Sequence, residues 1–342
     1  LSVSDSKGAG ILGTGFAVPQ QVVTNDDLSR IVETSDEWIA SRTGIRQRYV
    51  CSPQETTATL SIESARSALA DSGITPDQLD LILLATATGD HIWPASACLV
   101  QRALGAVNAA AMDISAACSG FVYALTLASS LIRSGTMRYV LVIGTDTLTK
   151  HLNWQDRKTC VLFGDGSGAV VVGPCSPQEG VLSSVMGSDG CGFEQIWLEA
   201  GGTALPLTPE LAAAGRGCLT MQGPEVYKFA VKIMGETSLE ALRRAGLTPD
   251  QVDLFIPHQA NTRIIRAAQE RMGLPDEKVF INVDRFGNTS AGSIPIALTE
   301  ARRQGLVKRG SILVFVGFGA GLTWGANVLR WNLNEPAGSP TQ

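Results

Sequence analysis

Cys118, His258 and Asn288 each combine a reactive residue type with neighbours that would let it act. A cysteine thiolate attacks thioesters and forms acyl intermediates, while imidazole and carboxamide N–H groups stabilise an oxygen that gathers negative charge. Cys118 stands in Ser115-Ala-Ala-Cys-Ser-Gly120, where an apolar strand around Ala110–Ile114 passes into a helix predicted over Ser119–Ile132. Free N–H groups and the dipole at a helix start favour thiolate over thiol, and the small neighbours leave room for an acyl group. The alternative is an inert small hydrophobe, which is the reading given to Cys98, Cys160 and Cys175. His258 follows a predicted strand, Leu254–Ile256, in Pro257-His-Gln-Ala-Asn261, and reads either as a functional group or as a strand-end histidine satisfied by backbone. Asn288 follows a predicted strand, Phe280–Val283, in Gly287-Asn-Thr-Ser-Ala-Gly292, where a turn or helix cap is the competing reading. His91 and His151 fall in predicted loops and lack such a setting.

The elements that must position these groups come in two copies. Gly73-Ile-Thr-Pro-Asp-Gln-Leu-Asp-Leu-Ile82 recurs as Gly246-Leu-Thr-Pro-Asp-Gln-Val-Asp-Leu-Phe255, with seven of ten positions identical at an offset of 173. Each copy follows a helical pattern (Ser61–Ser72, Glu225–Ala245) and enters an apolar strand (Leu79–Ala85, Val252–Ile256). Downstream, Met112-Asp113 and Val283-Asp284 enter similar turns and helices, which lead to strands at Tyr139–Gly144 and Ser311–Gly317. Strands alternating with helices, twice over, predict a duplicated α/β unit with pseudo-two-fold symmetry. The Gly-, Ser- and Pro-rich stretch 173–192 marks the junction, which divides the chain into halves 1–180 and 181–342. Leu205–Gly217 reads as an inserted loop and 335–342 as a loose tail. In such sheets ligands collect at the carboxyl ends of strands, where Cys118, His258 and Asn288 all fall.

Composition sets the outer limits. Charged residues make up 17% of the 342, against about 25% in an average globular chain, so a large buried body or a broad subunit interface is expected. A formal charge of −5 argues against a general nucleic-acid binder. Two uncharged stretches, Ile114–Ile132 and Ser311–Leu329, reach membrane-span length, but their Ser, Cys, Thr and Gly content reads as buried elements of an α/β protein. The second reads as two strands around a turn. Seven cysteines without a Cys-x-x-Cys pair form neither a disulfide framework nor a zinc pattern, which fits a reducing interior. The start, Leu1 to Gly8, has no apolar core of a signal peptide, and its first residue is not Met, so removal of a leader stays open. Gly13-Thr-Gly15 lacks the third glycine of a dinucleotide fingerprint, and Gly164-Asp-Gly-Ser-Gly168 lacks the lysine of a phosphate loop. Gly-x-Ser-x-Gly and His-Glu-x-x-His are absent as well, so dehydrogenase, NTPase, serine hydrolase and zinc protease readings lose support.

Six segments together carry a resemblance: Thr34-Ser-Asp-Glu-Trp-Ile39 with Arg42-Thr-Gly-Ile-Arg46, Ser115 to Gly120, Phe163-Gly-Asp-Gly166, Pro257 to Asn261, Gly287 to Ala291, and Gly317-Phe-Gly-Ala-Gly-Leu-Thr-Trp-Gly325. In that order they resemble the β-ketoacyl-acyl-carrier-protein synthase III family of thiolase-fold condensing enzymes, from Gly13 to about Trp331. The resemblance implies a duplicated thiolase-like α/β fold in α-β-α-β-α layers. It implies a Cys118, His258 and Asn288 triad and an oxyanion hole made by the backbone N–H groups of Cys118 and Ala320. Coenzyme A contacts would map to Trp38 and Arg157 around the adenine, with Arg42, Gly223 and Asn261 along the arm. The acyl pocket would map to Trp93, Phe163 and Phe318, with Trp93 reaching across a homodimer and shortening the pocket in favour of acetyl-CoA. For Trp93, plain interface packing is the competing reading.

The implied reaction is a decarboxylative Claisen condensation of a short acyl-CoA with malonyl-acyl-carrier protein through acyl-Cys118, with no metal or redox cofactor. His258 and Asn288 would hold the malonyl thioester oxygen as the enolate forms. Carrier proteins are acidic, so Lys228, Lys232, Arg263, Arg266 and Arg271 are the docking candidates, against the competing reading of an ordinary mixed surface. Glu270-Arg271 stands where relatives often carry two basic residues, which weakens docking at that point. Neither nucleic acid nor membrane is expected as a partner. The expected location is the cytoplasm, or the plastid stroma if a leader was removed. The chief rival is a pathway-specific condensing enzyme or acyltransferase of secondary metabolism.

Overall fold

The computed structural model describes residues 7–334; the start and the tail at 335–342 lie outside the described residues. The repeated sequence folds the same way twice. Helix Thr57–Ser72 is opened by a capping box between Thr56 and Thr59 and closed by left-handed Gly73; helix Gly223–Ala245 closes at left-handed Gly246. Each is followed by a 3₁₀ turn (Pro76–Gln78, Pro249–Gln251), in which the glutamine side chain accepts from the threonine N–H three residues earlier, at 3.0 Å in both copies. The next strands are Leu81–Ala85 and Leu254–Pro257.

The five-stranded sheet runs in the order Gly8–Ala17, Gly166–Cys175, Val140–Asp146, Leu81–Ala85, Ala110–Ile114. The four-stranded sheet repeats it as Gly180–Ser188, Thr323–Arg330, Ile312–Gly319, Leu254–Pro257. Directions match as well: two antiparallel pairings are followed by two parallel ones in the first sheet and by one in the second. Between the sheets lie helices Gly120–Arg133 and Ser293–Arg303, whose Phe121, Leu125, Ile294 and Leu298 share one core with strands of both sheets. Helices Thr57–Ser72 and Ser96–Leu104 cover the outer face of the first sheet, and Gly223–Ala245 with Thr262–Met272 cover that of the second. Strands covered on both faces read as unbroken apolar runs, as Leu81–Ala85 does. Close approach of the turn Ser290–Gly292 to strand Val140–Asp146 needs Gly144, where a Cβ would sit 2.1 Å from the Ala291 carbonyl. Among the described residues no helix is long and apolar enough to cross a membrane.

Several sequence expectations are corrected. The strand expected at Phe280–Val283 is reduced to one parallel bridge between Phe255 and Val279, and Val283–Phe286 forms a short helix. The Gln259 side chain takes the backbone groups a longer ladder would use, donating to the Phe280 carbonyl at 3.1 Å and accepting the Asn282 N–H at 2.9 Å. The inserted loop contains a helix, Pro209–Ala213, with Thr208 as N-cap; Pro209 starts it, since the first helical position needs no N–H bond. His151 ends a 3₁₀ turn rather than lying in an open loop. Cys98 is exposed on helix Ser96–Leu104, so only Cys160 of the three is a buried small hydrophobe, Cys175 being half-buried.

Candidate active site

The turn that carries the cysteine is strained by design. Ala117 adopts φ +46 and starts a 3₁₀ turn, Ala117–Ser119, which leads into helix Gly120–Arg133. The neighbouring loop locks it: Thr323 Oγ1 lies 3.0 Å from the carbonyls of both Ala116 and Ala320 and accepts from the Ser119 hydroxyl at 2.8 Å. A Cβ on Gly319 would sit 2.6 Å from the Cys118 nitrogen, so the Gly319–Ala320 backbone passes directly beside the Cys118 amide. The thiol's electrostatics differ from the sequence expectation. Burial pushes the Cys118 thiol up to about 12, outweighing the Ser290 hydroxyl that donates to Sγ at 3.2 Å; the Asp146 charge raises it further. At rest Cys118 is a thiol.

His258 follows strand Leu254–Pro257, its backbone N–H bonded to Val316 at 2.7 Å and its ring packed edge-on against Phe318. Nδ1 lies 2.7 Å from Ser293 Oγ, which also receives the Gln259 N–H at 3.3 Å. Of these two partners only Nδ1 can accept, so the Ser293 hydroxyl donates to it and the ring proton resides on Nε2. Burial lowers the His258 pKa to about 3, which keeps the ring a neutral donor. The unfolded ring, at the ordinary histidine value of 6.5, binds a proton that the folded ring refuses. Stability therefore rises with pH across that window and is lost as pH falls below 6.5. Urea unfolding should show wild type losing about 2 kcal/mol more between pH 7 and pH 5 than His258→Gln loses. Equal losses would contradict a buried neutral ring.

Asn288 is clamped by its backbone, its N–H to Leu162 at 2.9 Å and its carbonyl to Gly164 at 3.0 Å. Its Oδ1 accepts the Ser290 N–H at 2.9 Å, which leaves Nδ2 as a free donor. Cys118, His258 and Asn288 all line one cavity of about 190 Å³, together with Phe163, Phe318, Gly223 and Asn261. A Cβ on Gly223 would meet nothing, so the glycine leaves the passage open. Asn261 caps helix Thr262–Met272 through the Arg263 N–H at 2.8 Å and reaches the Arg42 carbonyl at 3.1 Å. Arg42 and Arg157 both stack on Trp38, at 4.5 and 4.7 Å from its ring centroid. This aromatic and cationic cluster suits a planar base with phosphates.

Three expected residues lie elsewhere or are already engaged. Trp93 is 82% exposed and does not line the cavity of its own chain. Arg266 pairs with Asp276, and Arg271 with Glu236, each at 2.7 Å. Lys228, Lys232 and Arg263 remain exposed, with Arg263 resting on the Tyr227 ring.

Sequence reasoning passed over Asp146, Gln259, Ser290, Ser293 and Thr323. The 173-residue offset could have found two of them: Ser290 and Ser293 occupy the places held by Ala117 and Gly120 in the first half, and a polar residue where the other copy needs only a small one is a signal.

Two family descriptions match: 3-oxoacyl-[acyl-carrier-protein] synthase III over residues 112–190, and its C-terminal part over 242–331. The chain is 51% identical to the beta-ketoacyl-[acyl-carrier-protein] synthase III of Caldanaerobacter subterraneus subsp. tengcongensis, across 95% of this chain and 98% of that one. The crystal structure of 3-oxoacyl-[acyl-carrier-protein] synthase III from Aquifex aeolicus VF5 superposes with a TM-score of 0.88 at 46% identity, across 95% and 100% of the two chains. The priming β-ketosynthase of the R1128 polyketide biosynthetic pathway superposes at 0.91 with 35% identity, across 98% and 99%.

Proposed function

Because this chain belongs to the β-ketoacyl-acyl-carrier-protein synthase III family, we propose how its own residues carry out the family's reaction. The enzyme is an acyltransferase-type condensing enzyme that initiates fatty-acid synthesis, using an acyl-CoA and malonyl-acyl-carrier protein and no added cofactor. Cys118 takes the acyl group from CoA while the developing oxyanion meets the N–H groups of Cys118 and Ala320. Malonyl-carrier protein then enters the same cavity. The Nε2–H of His258 and Nδ2 of Asn288 hold its thioester oxygen as CO₂ leaves, and the enolate attacks acyl-Cys118 to give 3-oxoacyl-carrier protein. The observation that carries this assignment is the convergence of Cys118, His258 and Asn288 on one cavity, with both donors' other polar atoms already occupied.

Trp38, Arg42, Arg157, Gly223 and Asn261 hold CoA in this scheme, and acetyl-CoA is the preferred starter because the cavity is small. A homodimer completes the pocket through Trp93. Its support is an unpaired sheet edge among the described residues, strand Ala110–Ile114 with Met112 exposed, and the exposure of the large apolar side chains Ile92 and Trp93, each 82% exposed. Seven unpaired cysteines support a cytoplasmic location.

Mixing the enzyme with acetyl-CoA and malonyl-carrier protein should yield acetoacetyl-carrier protein by mass spectrometry. Product formed only from longer acyl-CoA would instead support a pathway-specific enzyme of secondary metabolism. Carrier docking rests on Lys228, Lys232 and Arg263. A Lys228→Glu, Lys232→Glu double variant should raise KM for malonyl-carrier protein about 10-fold and leave KM for acetyl-CoA unchanged. An unchanged KM for the carrier would remove these lysines from the docking surface.

A further inference from the structure

We infer that Ser290 and Asp146 form a proton relay behind Cys118 that receives the thiol proton during acyl transfer and returns it after condensation. The inference rests on the reading of Cys118 as the acyl carrier and deepens it.

The duplicated frame supplies an internal control. Ala117 and Ser290 are offset by 173 and are the two non-glycine residues with positive φ among the described residues, at +46 and +49. Each opens a 3₁₀ turn into a central helix. Alanine makes that turn in one half, so the backbone does not require the Ser290 hydroxyl. At the same offset Asp146 corresponds to Gly319, each the last residue of its strand, so the strand end does not require a carboxylate either. The added polar groups meet at the cysteine. Ser290 Oγ lies 3.2 Å from Cys118 Sγ, and the Asp146 carboxylate sits behind the same turn, held by the N–H of the next residue, Ala291, at 3.2 Å and stabilised by the Ser290 hydroxyl.

Asp146 is fully buried, and the donors that hold it are neutral: Ala87 N–H at 2.7 Å, the Thr88 and Thr86 hydroxyls at 3.1 and 3.2 Å, and Ala291 N–H at 3.2 Å. The other titratable groups facing it are Cys118 and His151, and Asp165 acts on that same histidine. Burial pushes the Asp146 carboxyl up, with the Ser290 hydrogen bond opposing it, and an ionised Asp146 in turn raises the Cys118 thiol. A thiolate and a carboxylate sharing one hydroxyl in a buried setting repel each other, so proton loss from one favours proton gain by the other.

The steps balance. As Sγ bonds to the acyl carbon and the bond from that carbon to the CoA sulfur breaks, the Ser290 hydroxyl turns its proton from Sγ toward Asp146 and its oxygen takes the Sγ proton. The proton of that hydroxyl passes to Asp146, and the CoA thiolate takes a proton from solvent. In condensation the bond between Sγ and the acyl carbon breaks, Sγ leaves as thiolate, and the proton returns through Ser290. Asp146 is ionised again, and one solvent proton has been consumed overall.

Ser290→Ala and Asp146→Asn test the relay as positioning and proton-holding variants in the full-length enzyme. Two partial reactions are followed: acetyl-Cys118 formation from acetyl-CoA by rapid quench and intact mass, and CO₂ release from malonyl-carrier protein without acyl-CoA. The relay predicts that Ser290→Ala slows acetylation about 10²-fold while CO₂ release stays within about 2-fold of wild type. Equal losses in both reactions would assign Ser290 a structural role and overturn the relay, as would unchanged acetylation. Should Asp146→Asn fail to fold, Ser290→Ala alone decides. Absence of any acetyl adduct in wild type would strike the Cys118 reading itself, a result distinct from a normal adduct that forms equally fast in Ser290→Ala.

Discussion

Cys118→Ser is expected to fold and to bind acyl-CoA, yet to form no acyl-enzyme and to lose condensation by at least about 10⁴-fold. The substitution keeps nearly the same shape in a turn held by Thr323, Ser119 and Gly319, so the surroundings have no reason to rearrange. What is lost is nucleophilicity, because a hydroxyl gives up its proton far less readily than a thiol. Intact-protein mass spectrometry reads the result directly. Wild type should gain about 42 Da with acetyl-CoA, the mass of one acetyl replacing a proton, and lose it on adding malonyl-carrier protein. The serine variant should gain nothing. A serine variant that condenses at the wild-type rate would place the nucleophile elsewhere.

His258→Ala and Asn288→Ala are expected to divide the reaction at the other step. Both side chains enter the cavity as neutral donors, His258 because burial lowers its pKa to about 3 and Ser293 occupies Nδ1, Asn288 because the Ser290 N–H occupies Oδ1. An oxyanion donor lost in a buried site costs about 10²–10³-fold, so each variant should release CO₂ from malonyl-carrier protein that much more slowly. Acetylation of Cys118 should stay within a few-fold of wild type. The double variant should be little worse than either single one, since the two donors act on one oxygen as a unit. If acetylation fell as far as decarboxylation, the two residues would be activating the thiol rather than holding the enolate.

The variants divide as the structure divides the polar groups: Ser290 and Asp146 stand behind the sulfur, while His258 and Asn288 face the incoming thioester. That division could not be read from the chain. His258 and Asn288 were visible as polar residues at strand ends, with backbone satisfaction or capping as open alternatives. Their free donors became evident only with the partners at 2.7 and 2.9 Å on Ser293 and Ser290.

The repeated unit and the setting of the cysteine are legible in the chain alone. Apolar runs, Thr–Gln caps, closing glycines and the 173-residue offset are local signals, each acting within one or two turns, so they specify elements before any tertiary contact forms. Whatever depends on distant segments emerges only when they pack together. Asp146 reaches Ala291 across 145 residues, and Ser119 reaches Thr323 across 204. The strand expected at Phe280–Val283 gave way because the Gln259 side chain, more than twenty residues earlier, takes the Phe280 carbonyl and the Asn282 N–H, which the local pattern cannot sense. The cysteine's acidity was misjudged for the same reason. The helix start is written in neighbouring residues and lowers a thiol's pKa, but the burial that raises it comes from elements folded over Cys118 from elsewhere in the chain, and burial is the larger effect.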